Sequence, residues 1–415
     1  MSVPTCSPVD FLLLRGAMKT YSAAGIRIHA YLLLVACAIG CGQAERAGVS
    51  YETIGDTLFV HNALPEEPGP PPFGFERDLV IGVAQGEEQY MLPSRGSLAA
   101  GAGGQIFYFD TMDRTVRVFG PDGTCLRSFG REGQGPGEFS PRAGGVMHPL
   151  PGGGLAVEDW PPGLQVFDAE GGLDRVITFG QMDLAIQRTG QIESPYYWLS
   201  DKGLYIVQWN VWAMNEDTTN RFLIIEEGSS ALQWLPAVSV PPASFWESPG
   251  TGVSLPYSSR NYCALTGGHI LVWGTTSTLR LTMYDLDSEE WRIATLNRLP
   301  DPVTGADIDR YLEDYPEERR DRFRGRLRNA PLPEYKPIYN SIMGDESGRV
   351  WVMLRMEEPW LQHEEGYRYD LFDAEGHWLG MVVSPRYLET VRGEYAYTFG
   401  WEEYPTIERY RLRLP

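Results

Sequence analysis

Residues Val116–Phe139 read VRVFGPDGTCLRSFGREGQGPGEF. Val116–Phe119 has the apolar alternation of a short strand and runs into Pro121-Asp122-Gly123, a tight-turn tripeptide in which Gly supplies a positive φ and Asp hydrogen-bonds its own backbone. A second strand-like run, Cys125–Phe129, follows. The chain then enters Gly130–Phe139, a connector with four glycines and a proline. Two strands and a turn cannot bury their own apolar face, so such a unit predicts copies of itself elsewhere in the chain.

The copies are present. Gly104–Asp110, Gly153–Asp159, Lys202–Gln208, Gly268–Gly274, Gly348–Leu354 and Gly393–Phe399 share a turn residue followed by alternating apolar positions. Their aligned anchors, Ile106, Leu155, Leu204, Ile270, Val350 and Tyr395, are spaced by 49, 49, 66, 80 and 45 residues. A four-stranded unit takes about 40–50 residues, so the two long intervals carry insertions. Partner strands recur at Val116–Phe119, Leu164–Phe167, Phe222–Ile225, Leu279–Tyr284 and Tyr369–Phe372. Three of these lead into related turns, Pro121–Gly123, Asp168–Gly171 and Asp373–Gly376. Outer strands are predicted at Leu126–Phe129, Val176–Phe179, Trp291–Leu296 and Trp378–Val383.

The strand-turn-strand-connector pattern resembles NHL-repeat-like β-propellers, most strongly over residues 98–180 and 346–384. The resemblance implies an all-β, six-bladed β-propeller of four-stranded antiparallel blades. In it, Gly130–Phe139 carries the chain from the outer strand of one blade to the inner strand of the next. Tyr395–Phe399 and Ile407–Leu412 supply two strands of the last blade. Asp78–Ile81, with Asp56–Val60 a further candidate, completes it from the N-terminus and closes the ring without a disulfide. The propeller is expected over 51–415. Pro65–Pro72 reads as a loop, as does the Pro- and Ser-rich stretch 236–261. A small helical insertion is expected around 305–328: Asp307, Ile308, Tyr311, Leu312 and Tyr315 form a stripe, and Pro316-Glu317-Glu318 has the form of a helix start.

Gly and Pro number 46 and 31 of 415 residues, elevated as many tight turns require. The net charge of −20 argues against nucleic acid, whose phosphates demand Lys and Arg. Residues 1–40 read as a signal peptide, with an alternative start at Met18. Lys19 and Arg27 precede the apolar run Ala30–Ile39, too short for a membrane span. Ala38-Ile39-Gly40-Cys41 resembles a bacterial lipobox, which implies cleavage before Cys41, its lipidation, and a tether over 41–50; an ordinary secretory signal or an uncleaved anchor are the alternatives. The other cysteines are Cys6, Cys37, Cys125 and Cys263. The last two fit either one disulfide or, falling in different repeats, two small thiols.

Catalytic signatures are absent. There is no GxSxG elbow, and Gly130–Phe139 lacks the Lys-Ser/Thr of a P-loop. His363-Glu364 lacks the second His of HExxH, and no CxxC occurs. His148 is predicted on an inner strand facing the central channel, and a divalent metal held there with His363 is conceivable, although a zinc site needs three protein ligands. His61, His269 and His377 read as structural or surface positions. Trp160, Trp209, Trp212, Trp273 and Trp360 fall at or just after strand ends. With Arg131, His148 and Asp159 they form either a binding rim or packing between blades. The Arg319–Arg328 cluster either docks an anion or pairs with Glu313, Asp314, Glu317, Glu318 and Asp321. The expectation is therefore a monomeric, exported, lipid-anchored propeller that binds a protein or carbohydrate at the cell envelope without a cofactor. The alternatives are a metal-dependent hydrolase or lyase of the gluconolactonase-like propeller class, and a structural envelope protein.

Overall fold

Each of the six anchors opens a strand. A computed structural model describes residues 48–67, 69–93, 96–159, 163–178, 196–200, 204–210, 219–226, 232–235, 238–239, 245–248, 251–328, 330–356 and 365–413, with 196–254 mostly as backbone. The described residues begin with a hairpin, Val49–Ile54 (β1) and Thr57–Asn62 (β2), followed by Gly74–Ile81 (β3). Gly96–Ala100 (β4), Ile106–Asp110 (β5), Thr115–Phe119 (β6) and Cys125–Phe129 (β7) form one four-stranded antiparallel meander. Met147–Pro149 (β8), Leu155–Asp159 (β9), Gly163–Phe167 (β10) and Leu173–Thr178 (β11) form the next. Tyr196–Leu199 (β12), Leu204–Asn210 (β13), Thr219–Glu226 (β14), Leu232–Trp234 (β15) and Val238–Ser239 (β16) share a sheet, and Phe245–Ser248 (β17) pairs with Thr251–Ser254 (β18).

Asn261–Thr266 (β19), Ile270–Thr275 (β20), Arg280–Asp285 (β21) and Trp291–Leu296 (β22) make another meander. Two helices follow, Gly305–Glu313 (α1) and Glu317–Leu327 (α2). Tyr339–Gly344 (β23), Val350–Leu354 (β24), Tyr367–Phe372 (β25) and Trp378–Ser384 (β26) form the next meander, and Leu388–Arg392 (β27), Tyr395–Gly400 (β28) and Thr406–Arg413 (β29) pair with β3. First strands of neighbouring sheets touch, β27 beside β4, β4 beside β8 and β19 beside β23, so they line a central channel. This is a β-propeller. Five blades are described in full, one fewer than the expected six. The anchor Leu204 falls in the β12–β16 sheet, whose side chains lie largely outside the described residues.

The repeat has a physical core. Phe119, Phe167 and Phe372 end the third strands of their blades, are at most 2% exposed, and each follows a break in register with the outer strand. The turn after each closes alike: Gly123, Gly171 and Gly376 hold φ of 83°, 88° and 88°. Apolar clusters fill the seams between blades. Ala99, Phe109, Phe139, Leu155 and Phe167 join the first two meanders, and Ile81, Tyr108, Phe119, Tyr397 and Ile407 join the last blade to the first. Burial of such rings is the main source of stability in a ring of sheets.

Ring closure follows the sequence expectation for one strand and departs from it for the other. β3 pairs antiparallel with β29, tied by Arg409–Asp78 at 2.9 Å and Arg77–Glu408 at 3.2 Å. β2, which includes most of the Asp56–Val60 candidate, does not join that blade. It runs parallel to β22 and extends that blade outward, with β1 beyond it. The buried Asn62 side chain fixes it there, donating to Thr295 O (3.1 Å) and Gly376 O (2.9 Å) and accepting from Trp378 N (2.8 Å). β1 begins inside the segment expected to be a tether, and the expected loop 236–261 contains β16, β17 and β18. Cys125 and Cys263 form no disulfide.

The insertion is helical as predicted. Pro316 stands immediately before α2, with Glu317 and Glu318 in its first turn. Asp307 serves a different purpose from the apolar stripe. It completes a capping box with Thr304, whose backbone N–H donates to its carboxylate at 2.8 Å, and it pairs with Lys336.

Candidate functional site

Two of the proposed rim residues, Arg131 and Asp159, serve local structure. Arg131 donates through Nε to Glu138 Oε1 at 2.7 Å, within its own connector. The other oxygen of Glu138 accepts from the N–H groups of Gln134 and Gly135, and these bonds hold its carboxyl below the ordinary range. Asp159 accepts from Ser140 N at 3.0 Å and from Gln165 Nε2 at 2.7 Å, latching the connector to the second blade. Trp273 is 4% exposed and meets Trp291 edge-on at 5.7 Å, so it belongs to the core and not to a rim. Trp160, Trp212, Trp360 and His363 lie outside the described residues, as do the Trp209 side chain and Cys41.

The face that carries the connectors and the turns after second strands also holds a cavity. A cleft of about 840 Å³ opens there. Its walls come from the turns after second strands (Thr111, Thr276, Arg355, Met356, Trp401), from connectors entering first strands (Leu255–Ser258, Arg260, Arg386, Tyr387) and from Tyr311 of α1. These are the turn types that share a face with Gly130–Phe139.

Tyr257 is the most distinctive residue of the cleft. Its φ of 58° is an unfavourable left-handed conformation for a bulky side chain, a strain of about 1–3 kcal/mol that persists only where surroundings impose it. Its hydroxyl donates to Asp307 O at 3.0 Å, and the Arg355 guanidinium lies 5.0 Å from its ring centroid. Burial lowers the Arg355 pKa, against the pull of Tyr257, Asp307 and Asp301. Tyr311 and Tyr315 hydroxyls meet at 2.9 Å, and burial raises Tyr311. Tyr339, in the wall, is fully buried, and its hydroxyl has no hydrogen-bond partner among the described residues. Arg260 is exposed at the lip, with no ion pair among the described residues. Arg386 is committed elsewhere, to Glu402 (2.7 Å) and Glu408 (3.3 Å).

Below the cleft, a channel of about 580 Å³ passes between the first strands. His148 is on its wall, as predicted, with Nε2 3.1 Å from Glu158 Oε1. Glu389 of β27 is common to the cleft, the channel and a side pocket of about 320 Å³ between β19, β23 and β27. Burial alone pushes its carboxyl up to about 7. Among the described residues it has no hydrogen bond or ion pair.

Sequence reasoning missed Glu389, Tyr257, Arg260 and Arg355. The repeat register held a usable signal, since it identifies the turns that share this face, and Arg355 directly follows a repeated strand. His61, His269 and His377 are structural, as expected: His61 Nδ1 lies 3.1 Å from Thr295 Oγ1, and His269 Nδ1 lies 2.6 Å from Gly267 O.

Among the described residues, one group of three potential metal donors converges, Asp373, Glu375 and His377, on an outer turn. His377 Nδ1 faces Asp373 and its Nε2 faces Tyr51, each at 2.9 Å, so both ring nitrogens are engaged. In the channel, Asp345 is committed to Arg349 (2.6 Å) and Trp351 Nε1 (2.8 Å).

No protein-family model matches the chain, and no curated protein matches it. Solved structures do. A member of the DUF4221 family from Bacteroides vulgatus is similar at 11% identity and TM-score 0.51, covering 83% of this chain and 99% of that one. A protein from Bacteroides fragilis whose name gives export only as a conjecture is similar at 9% identity and TM-score 0.47, covering 86% and 99%. Regucalcin from Agrobacterium tumefaciens, named as calcium-binding, is similar at 12% identity and TM-score 0.36, covering 76% and 90%. The first of these, at 11% identity and a TM-score above 0.5, bears on the fold alone.

Proposed function

We propose that the protein is an exported, lipid-anchored propeller of six blades, of the NHL-repeat-like type, that binds a carbohydrate at the cell envelope without catalysis. The β12–β16 sheet is the sixth blade in this reading. The carrying observation is the cleft of about 840 Å³ with Tyr257, Tyr311, Arg260 and Arg355 converging on it. Its volume suits a small organic ligand, for which sites are typically concave and about 300–1,000 Å³, better than a flat protein epitope. Tyrosine rings give contact area at low entropic cost together with a polar edge.

Export and anchoring rest on Lys19, Arg27, the Ala30–Ile39 run and Cys41. Titration calorimetry against an oligosaccharide panel tests the binding: wild type binds, and Tyr257→Ala weakens binding at least tenfold while circular dichroism is unchanged. Equal binding by the variant sinks the reading. Palmitate labelling lost in Cys41→Ser tests the anchor. The metal-dependent hydrolase or lyase alternative predicts a stoichiometric divalent ion in the purified protein, and finding one removes the scaffold reading.

A further inference from the structure

We propose that the cleft selects sugar acids, with a ligand carboxylate received by Arg260 and Arg355 and a ligand hydroxyl or ether oxygen received by protonated Glu389 at the floor, so that binding is proton-linked. This rests on the carbohydrate reading above and deepens it. Glu389 carries the argument by position, since it lines the cleft, the channel and the side pocket alike. A carboxyl kept partly buried with no hydrogen bond or ion pair among the described residues is costly and marks a functional site more often than a structural one.

The lip supplies the complementary charge. On a chain of net charge −20, two arginines converge on one cleft, and guanidinium groups receive carboxylates in planar, bidentate fashion. An ionised Glu389 repels an anionic ligand, whereas the neutral acid donates a hydrogen bond to it. Binding therefore takes up a proton once the pH exceeds the Glu389 value of about 7.

Other groups around Glu389 must be separated from it. Tyr387 stands on the same segment and Tyr369 on β25, both coupled to it electrostatically. Cys263 of β19 shares the side pocket, and burial raises its thiol. His148, Asp345, Glu346 and Arg392 share the channel. His148 is therefore varied alongside Glu389.

The experiment is calorimetric titration of the full folded chain with trigalacturonate, trimannuronate and, as the uncharged comparator, maltotriose, from pH 6 to 9. The expected result is binding of at least one acidic trimer, tenfold or more tighter than maltotriose. Affinity falls up to tenfold per pH unit above about 7 in wild type and in His148→Gln. Glu389→Gln holds its affinity across the range, and Arg260→Ala weakens it at every pH. Maltotriose binding as tightly as the acids, or a pH dependence that survives in Glu389→Gln, overturns this inference and leaves the carbohydrate reading standing. Failure of all three sugars to bind overturns both. A Glu389 carboxyl that titrates between 4 and 5 by carbon-13 NMR overturns the inference whatever binds.

Discussion

Asp370 shows how single buried charges hold this ring. It is fully buried, takes both arms of Arg298 at 2.7 and 2.8 Å, and accepts from Trp378 Nε1 at 3.0 Å. Asp370→Ala leaves the guanidinium in a largely dry seam without its partner, at a cost of about 3–5 kcal/mol, read as a lowered urea midpoint. An unchanged midpoint contradicts this account. Such residues differ in how far the sequence reveals them. Phe119, Phe167 and Phe372 are legible because each precedes the same turn, and repetition separates signal from chance. Glu389 is not legible. It sits in Leu388–Arg392, where nothing in the local pattern tells a channel-facing carboxyl from a solvated one; its character comes from strands elsewhere in the chain.

At the scale of elements, the connector Gly130–Phe139 shows what glycine does for a propeller. Gly130 holds a φ of 82°, and a Cβ there drives into the ring of Phe139, which packs 5.2 Å from Phe109 and 5.6 Å from Phe167. Gly130→Ala therefore combines backbone strain with overpacking and lowers stability by about 2–4 kcal/mol, measurable by denaturant titration. A neutral result contradicts the claim that the glycine is there for geometry. Strands and turns of this kind follow from local pattern, and so does the helical insertion, with Pro316 marking the start of α2. The docking of β2 beside β22 does not. Alternation predicts a strand, but the partner and direction depend on Asn62 meeting Thr295, Gly376 and Trp378, residues more than two hundred positions away. β16, β17 and β18 escaped notice because runs of two to four residues are too short to show a period.

For the whole molecule, the two N-terminal additions play unequal parts. β3 is the outer strand of the closing blade and ties both ends of the chain into one sheet. β1 and β2 only extend a blade that is already four strands wide. Deleting residues 74–81 should give insoluble or proteolytically labile protein, because an open ring exposes the seam between last and first blades. Deleting 49–62 should leave the ring folded, with a lowered melting temperature and a bare β22 edge. Equal tolerance of both deletions contradicts the assignment of β3 as the closure. Closure also sets a schedule for biogenesis. Arg77 and Glu408, paired across it, are 331 residues apart. At about 5–20 residues per second, β3 waits on the order of 20–60 s after its own synthesis for its neighbour to be made. Until β29 emerges, the nascent chain carries β3 without its partner, and this is the interval in which a chaperone has something to hold.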